Sequence, residues 1–214
     1  MKVVQIATGP FQENAYLVMD ETSAVGALID PGEDAERLLA AAAAEEVTIQ
    51  AIWVTHGHVD HVGAIAAVKR ATGAPVHLHP LDRPLYDSAV QHGLLFGVRI
   101  ETPPAPDRDL ADGEMLELSS LRFTVMHAPG HAPGHVVLHG HGVAFVGDCL
   151  FAGSVGRTDL PLANPAHLAR TLAAIAELPD STIVYPGHGP ATTIGEEKHS
   201  NPFLNGAARI VGSW

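Results

Sequence analysis

The stretch Ala51-Ile52-Trp53-Val54-Thr55-His56-Gly57-His58-Val59-Asp60-His61 decides how this chain is read. Its first four residues have the length and bulk of a short buried strand, which fixes one end of the loop after it. Three imidazoles and a carboxylate then fall within six residues. In extended chain, side chains two positions apart point the same way, so His56 and His58 converge on one point. Gly57 lets the backbone turn tightly between them. Asp60 and His61 sit where the next helix starts and face a second point nearby, and two such pairs suggest two metal ions. Taken alone, Asp60 also fits the N-cap of a helix beginning near His61. A His-rich loop can also arise by chance in a chain holding 14 histidines, so the rest of the sequence must decide.

Composition narrows the field. At 214 residues the chain suits one domain, 1–214, able to bury most of the surface it exposes when unfolded. Lys and Arg total 12 against 24 Asp and Glu, a formal charge of −12, and no basic cluster could track a phosphate backbone, which argues against nucleic acid. Met1-Lys2-Val3-Val4-Gln5-Ile6-Ala7 runs at once into Gly9-Pro10, leaving no apolar signal-peptide core, and no later run approaches membrane-spanning length. A cytoplasmic protein without membrane contact is the expectation. Cys149 is the single cysteine, so any metal must be held by His and carboxylate.

Strand patterns over 3–7, 15–19 and 24–29 predict a meander closed by Asp30-Pro31-Gly32. A helix over 33–46 and a strand over 49–54 lead into the His cluster. A second helix over 62–72 ends at Gly73, placed as a left-handed C′ residue. A strand over 75–79, a short helix near 83–89 and an irregular loop or lid over 91–106 come next. Strands over 115–118, 122–127, 136–138 and 143–146 form a second meander, with a hairpin turn at His139-Gly140-His141-Gly142. Asn164-Pro165 reads as an N-cap and first-turn proline of a helix reaching Glu177, and a strand over 183–185 closes the pattern. The expected class is α/β: mixed sheets sandwiched between helices that each have an apolar face to bury.

Polar chemistry recurs at strand exits, where open α/β layers present ligands. Pro129-Gly130-His131 holds a histidine on a constrained turn after a strand. Gly147-Asp148 puts a carboxylate at the end of the apolar run Phe145-Val146, where an unpaired charge is costly and a metal would offset it. Gly187-His188-Gly189 comes after the last strand. Each is an ordinary turn residue when viewed singly. Jointly, His56, His58, Asp60, His61, His131, Asp148 and His188 form a ligand set suited to zinc, manganese or iron(II), in a number that two bridged ions need.

Thr-His-Gly-His-Val-Asp-His at 55–61, with Asn14-Ala15-Tyr16-Leu17, Asp30-Pro31-Gly32 and Asn201-Pro202-Phe203-Leu204, resembles the metallo-β-lactamase-fold hydrolases over nearly the whole chain. Within them it is most similar to short, single-domain relatives of glyoxalase II (hydroxyacylglutathione hydrolase). The resemblance implies an αββα sandwich of two mixed sheets flanked by helices, with a dinuclear site. His56, His58 and His131 would bind one ion and Asp60, His61 and His188 the other. Asp148 would bridge them, and Asp60 would double as the catalytic carboxylate. The run Gly147 to Pro161 is similar to small glyoxalase II-like proteins, while its Gly156-Arg157-Thr158-Asp159 segment also occurs in persulfide dioxygenases of the same fold. The chain departs from two-domain glyoxalase II in two places. Only 26 residues (214 − 188) lie beyond His188, too few for a C-terminal helical substrate domain, and Asn205 stands where those enzymes carry a glutathione-binding arginine.

The expected chemistry is hydrolysis of a thioester, S-D-lactoylglutathione or a related acyl thiol, by a hydroxide bridging two divalent ions, zinc foremost and iron or manganese also suited. The alternatives are a single-iron persulfide dioxygenase or another small-molecule hydrolase of lactonase type. Arg157 is the candidate for an anionic substrate group, with an ion pair to Asp159 as the competing reading. Tyr185 is a second substrate-side candidate, with packing equally open. Cys149 reads as a packed small side chain rather than a nucleophile. His77 and His79 read as core or turn residues before they read as partners of ligands. His127, His135, His139 and His141 carry no assignment.

Overall fold

Apolar residues alternate along the strands onto opposite faces, and that alternation builds four layers. The structure is a computed structural model and describes residues 1–210. Strands β1 (Lys2–Thr8), β2 (Glu13–Asp20) and β3 (Val25–Ile29) form the antiparallel meander. Helix α1 (Ala35–Ala44) crosses over to β4 (Thr48–Trp53), which pairs parallel with β3. Helices α2 (Val59–Val62) and α3 (Ile65–Thr72) lead to β5 (Val76–Leu78), parallel to β4. A 3-10 turn (Pro80–Asp82) then precedes α4 (Arg83–Asp87) and α5 (Ala89–Leu95), and β6 (Arg108–Asp109) adds a parallel edge to this first six-stranded sheet.

The second six-stranded sheet starts with the antiparallel run β7 (Met115–Leu118), β8 (Leu121–His127), β9 (Val136–Gly140) and β10 (Val143–Gly147). A separate hairpin, β11 (Leu150–Phe151) with β12 (Ser154–Val155), precedes helix α6 (Pro165–Ala176). Strand β13 (Ile183–Pro186) returns parallel to β10, β14 (Thr192–Thr193) pairs antiparallel with it, and α7 (Ile194–Ser200) comes last.

Side chains of period two partition the core. From β2, Tyr16 and Val18 face the second sheet while Leu17 and Met19 face the first helical layer. From β10, Val143 and Phe145 point between the sheets while Ala144 and Val146 meet Leu168, Leu172 and Ile175 of α6. Trp53 packs edge to face on Phe123 at 5.6 Å, so the two sheets share one dry interface. Helix, sheet, sheet, helix is the αββα arrangement expected.

Several expectations shift. The helix expected over 62–72 starts only at Ile65, after a separate short helix Val59–Val62; between them the Ala64 N–H donates to the Pro31 carbonyl at 3.0 Å and the chain bends to meet the Asp30-Pro31-Gly32 corner. The irregular stretch begins later than position 91, since α5 continues through Leu95. Gly140 belongs to β9, and the turn is His141-Gly142, whose positive φ values of 52° and 76° suit a tight hairpin. Strand β6, the β11–β12 hairpin, β14 and α7 were not expected; the strands among them are two-residue segments with no periodicity to read. Asn164 caps α6 as expected, its side-chain oxygen accepting from the His167 N–H, and Gly73 is left-handed at φ 71°. None of the described helices is long and apolar enough to cross a membrane.

Candidate metal centre

Strand β4 delivers its candidate ligands through a loop pinned at three points. The Thr55 N–H and hydroxyl both donate to Asp30 at 2.6 Å, and the Thr55 carbonyl accepts from Val136 N–H of the second sheet at 2.8 Å. The Gly57 N–H donates to Asp82 Oδ2 at 2.7 Å, while the other Asp82 oxygen accepts from the Gly134 N–H. One buried carboxylate therefore ties the His56–His58 loop to the loop bearing His131. Gly57 does not turn through positive φ; glycine is needed for space, since a Cβ would lie 2.8 Å from Tyr86 N and 2.9 Å from Asp82 O. Burial pushes the Asp82 carboxyl up to about 6, against the two backbone donors that favour its ionised form.

Outward hydrogen bonds fix which nitrogen of each ring faces inward. His61 Nδ1 lies 3.0 Å from Asp30 Oδ2, His131 Nδ1 donates to the Arg157 carbonyl at 2.9 Å, and His56 Nδ1 lies 3.1 Å from the Thr55 hydroxyl. With those hydrogens pointing away, the Nε2 lone pairs of His56, His61 and His131 point to the centre. His58 turns the other way, its Nδ1 only 2.8 Å from His131 Nε2.

His56, His58 and His131 thus form one triad of inward nitrogens, and Asp60, His61 and His188 form a second. Asp148, on the turn after β10, stands between them: Oδ1 is 3.4 Å from His61 Nε2, and Oδ2 is 3.5 Å from His131 Nε2 and 3.6 Å from His188 Nε2. Asp60 Oδ2 lies 3.3 Å from His188 Nε2. Asp30 also gathers with His56 and His61. Its oxygens are occupied by Thr55 and His61, however, so it orients rather than ligates.

The His188 loop is held from the far end of the chain. Asn14 N–H donates to the Gly187 carbonyl at 2.7 Å, and the Tyr16 hydroxyl donates to the Pro186 carbonyl at 2.6 Å. Gly187 cannot carry a side chain, because a Cβ would lie 2.1 Å from Asp148 Oδ1. His135 stacks on His56 at 4.8 Å, and its Nε2 accepts from the Asp148 N–H at 3.1 Å.

Electrostatics mark the centre as a place for cations. Burial is the largest single influence on His61 and opposes its charged form, yet Asp148, Asp60 and Asp30 outweigh it and hold its pKa well above the ordinary value. Burial raises the Asp148 carboxyl, but His61, His131 and His188 prevail and keep it below the ordinary range. Burial drives His56 well down, helped by its histidine neighbours. His56 Nε2, His61 Nε2 and Asp148 Oδ1 are buried without any hydrogen-bond partner. Orphaned polar atoms of this kind are costly. Two divalent cations between the triads would satisfy all three, so the donors present fit a two-metal site.

The remaining candidates separate. Arg157 lines the cleft above the centre, but its guanidinium is held in a bidentate pair by Asp159 at 2.6 and 2.7 Å. Its backbone, not its charge, touches the ligand set. Tyr185 does not line the cleft. Its ring stacks on Phe145 at 5.2 Å and leans on Tyr16 at 5.3 Å, because its position on β13 points it between the sheets. His77 is buried with neither ring nitrogen partnered, and His79 stacks on His127 at 4.4 Å while accepting from the Leu81 N–H. Cys149 is fully buried against His135 and the Ala128 carbonyl, and burial pushes its thiol well up, so it is a packed side chain. Asn205 bonds only locally, to the His199 carbonyl and the Ala207 N–H.

Asp82 and His135 carry no signal in the sequence that sets them apart, and Asp30, though part of the Asp30-Pro31-Gly32 motif, is not marked there as a support. Asp30 reads equally well as the end of a strand, and nothing near Asp82 marks it as buried. The apolar wall of the cleft was also missed: Phe11, Leu95 and Phe96 come from segments that read as turn and loop, and Leu85 from a short helix with nothing to mark its face.

Comparison with known proteins agrees with this geometry. The family model described as the metallo-beta-lactamase superfamily matches residues 8–188. The chain is 38% identical over 210 residues to hydroxyacylglutathione hydrolase GloC of Haemophilus influenzae, spanning 96% of this chain and 99% of that protein. Among solved structures, TTHA1623 in a di-iron-bound form superposes with a TM-score of 0.87 at 46% identity, over 94% of this chain and 100% of that one. BLEG-1 B3 metallo-beta-lactamase superposes at 0.89 with 40% identity, over 95% and 99%. Sandwich topology, ligand-bearing strand exits and sequence likeness along the whole length coincide, and the chain belongs to the metallo-beta-lactamase superfamily.

Proposed function

We propose that this chain hydrolyses thioesters of small acyl thiols, the class to which S-D-lactoylglutathione belongs. Two metal ions would be held by His56, His58 and His131 and by Asp60, His61 and His188, with Asp148 bridging. One observation carries the reading: the two triads meet around Asp148 at the base of a cleft of about 480 Å³, into which His58, Asp60, His131, Asp148 and His188 open while His56 and His61 lie buried beneath. Divalent ions so bound, zinc foremost and iron or manganese also suited to these donors, lower the pKa of bound water to ~7 from ~15.7 and polarise a carbonyl.

The chain's own groups supply the rest. Asp60 faces the cleft and takes the proton that the attacking water gives up. The C–S bond breaks with its electron pair leaving on sulfur, which needs no general acid because thiol pKa values lie near ~8.5. Cys149 is too deeply buried to compete as a nucleophile. Likeness to GloC supports the thioester reading, and the Asp60–His61–His188 triad supplies donors for a second ion. The test measures thioester loss and oxygen uptake side by side, using protein loaded with two equivalents of zinc, manganese or iron. Thioesterase activity no greater than that of the free metal would overturn the proposal. Oxygen uptake with glutathione persulfide, or turnover of lactones alone, would reassign the site.

A further inference from the structure

Above a polar floor the cleft is largely apolar, with His92, Ser154 and Arg157 also among its lining residues. Phe11, from the turn between β1 and β2, and Leu95 and Phe96, from the end of α5, form part of its wall, and Phe151, Val155 and Leu160 form another part. Phe11 and Phe96 meet edge to face at 5.9 Å and 89°, bridging two segments distant in the chain. Leu95 is 80% exposed and Phe96 58%. A contiguous apolar surface of this kind, continuous with a reactive centre, is a binding surface more often than an accident.

Charge points the same way. Arg157 is the one permanent cation among the described residues lining the cleft, and Asp159 holds its guanidinium. The chain as a whole carries −12. A thiol bearing carboxylates would therefore meet a largely apolar wall, with Arg157 already paired and His92 and Ser154 the other polar groups there.

We infer that the cleft selects uncharged thioesters with hydrocarbon acyl groups, seated against Phe11 and Phe96. This rests on the thioesterase reading. Each turnover consumes one water: its oxygen bonds to the acyl carbon, the C–S bond breaks, and an apolar carboxylate and a thiol are released without any oxidant.

The experiment compares acetyl, butyryl and hexanoyl thioesters of N-acetylcysteamine and of glutathione on metal-loaded protein. On the neutral thiol, kcat/KM should rise about four-fold per methylene, the ratio expected when each buried methylene contributes ~0.8 kcal/mol. Phe11→Ala and Phe96→Ala, both at exposed positions, should reduce the hexanoyl-to-acetyl ratio. Asp159→Asn should raise kcat/KM on glutathione thioesters by freeing Arg157. A flat chain-length series, or a ten-fold preference of the unsubstituted protein for glutathione, overturns the inference while leaving the thioesterase reading intact. Calorimetry with S-ethyl and S-hexyl thioethers of N-acetylcysteamine reads the cleft without turnover. Tighter hexyl binding supports the apolar selection even if no thioester is hydrolysed, and equal binding overturns it.

Discussion

His61 Nδ1 lies 3.0 Å from Asp30 Oδ2, joining the end of β3 to the start of α2 across thirty-one positions of chain. The same carboxylate takes the N–H and O–H hydrogens of Thr55, so one buried group orients a candidate ligand and anchors the strand that leads to others. Replacing Asp30 by Asn should weaken metal binding at the His61 position by ~10–100-fold, the usual effect of losing such an orienting partner. Asp30→Ala should in addition lower stability by ~1–3 kcal/mol through the orphaned Thr55 N–H. Chelator competition and denaturant melts would separate the two. Unchanged metal affinity in Asp30→Asn would show that the ring is held in place without it.

Asp148 should couple the two ions. Asp148→Asn is expected to lower both metal equivalents together, whereas His188→Ala should leave about one equivalent bound at the His56–His58–His131 triad. Elemental analysis after dialysis would count them. Independent loss of single ions in Asp148→Asn would remove the bridge from the site.

Asp82 should make stability depend on pH. Burial raises its carboxyl to about 6, above the ~3.9 of an unfolded chain. The stability gained from its proton is therefore complete below about pH 4 and is lost as pH rises through about 6. Relative to Asp82→Asn, which does not titrate, the unsubstituted protein should lose up to ~3 kcal/mol between pH 4 and pH 7 in chelator. A difference that stays constant, or grows in the opposite sense, would show that the two backbone donors dominate over burial.

Gly187 should not tolerate alanine. The added Cβ would meet Asp148 Oδ1 at 2.1 Å and His61 Cε1 at 2.7 Å, so Gly187→Ala should lose metal and activity together while the fold survives. Tyr185→Phe, by contrast, should change kcat/KM by less than about two-fold, since its ring packs between Phe145 and Tyr16 away from the cleft. Near-normal metal content in Gly187→Ala would mean that the His188 loop can yield.

The second meander, the meander of the first sheet and the α6 cap were legible because period-two alternation and an Asn-Pro start are local signals. The short edge strands and the break between α2 and α3 were not, since each answers to a partner elsewhere: β6 to β5, and Ala64 to the Pro31 carbonyl. Arg157 shows the same limit at the site. Sequence marked it as a cation near Asp148, whereas folding uses its carbonyl to orient His131 and pairs its charge with Asp159.

By itself the sequence marked the candidate donors: seven His and Asp side chains, most at strand exits, with Cys149 the single cysteine, follow from composition and from the two-residue repeat of extended chain. Tertiary structure decided how those donors face and what covers them. Asp30, Asp82, His135 and the apolar wall of Phe11 and Phe96 act across long stretches of chain, and contacts between distant segments leave no periodic trace in the residues that make them.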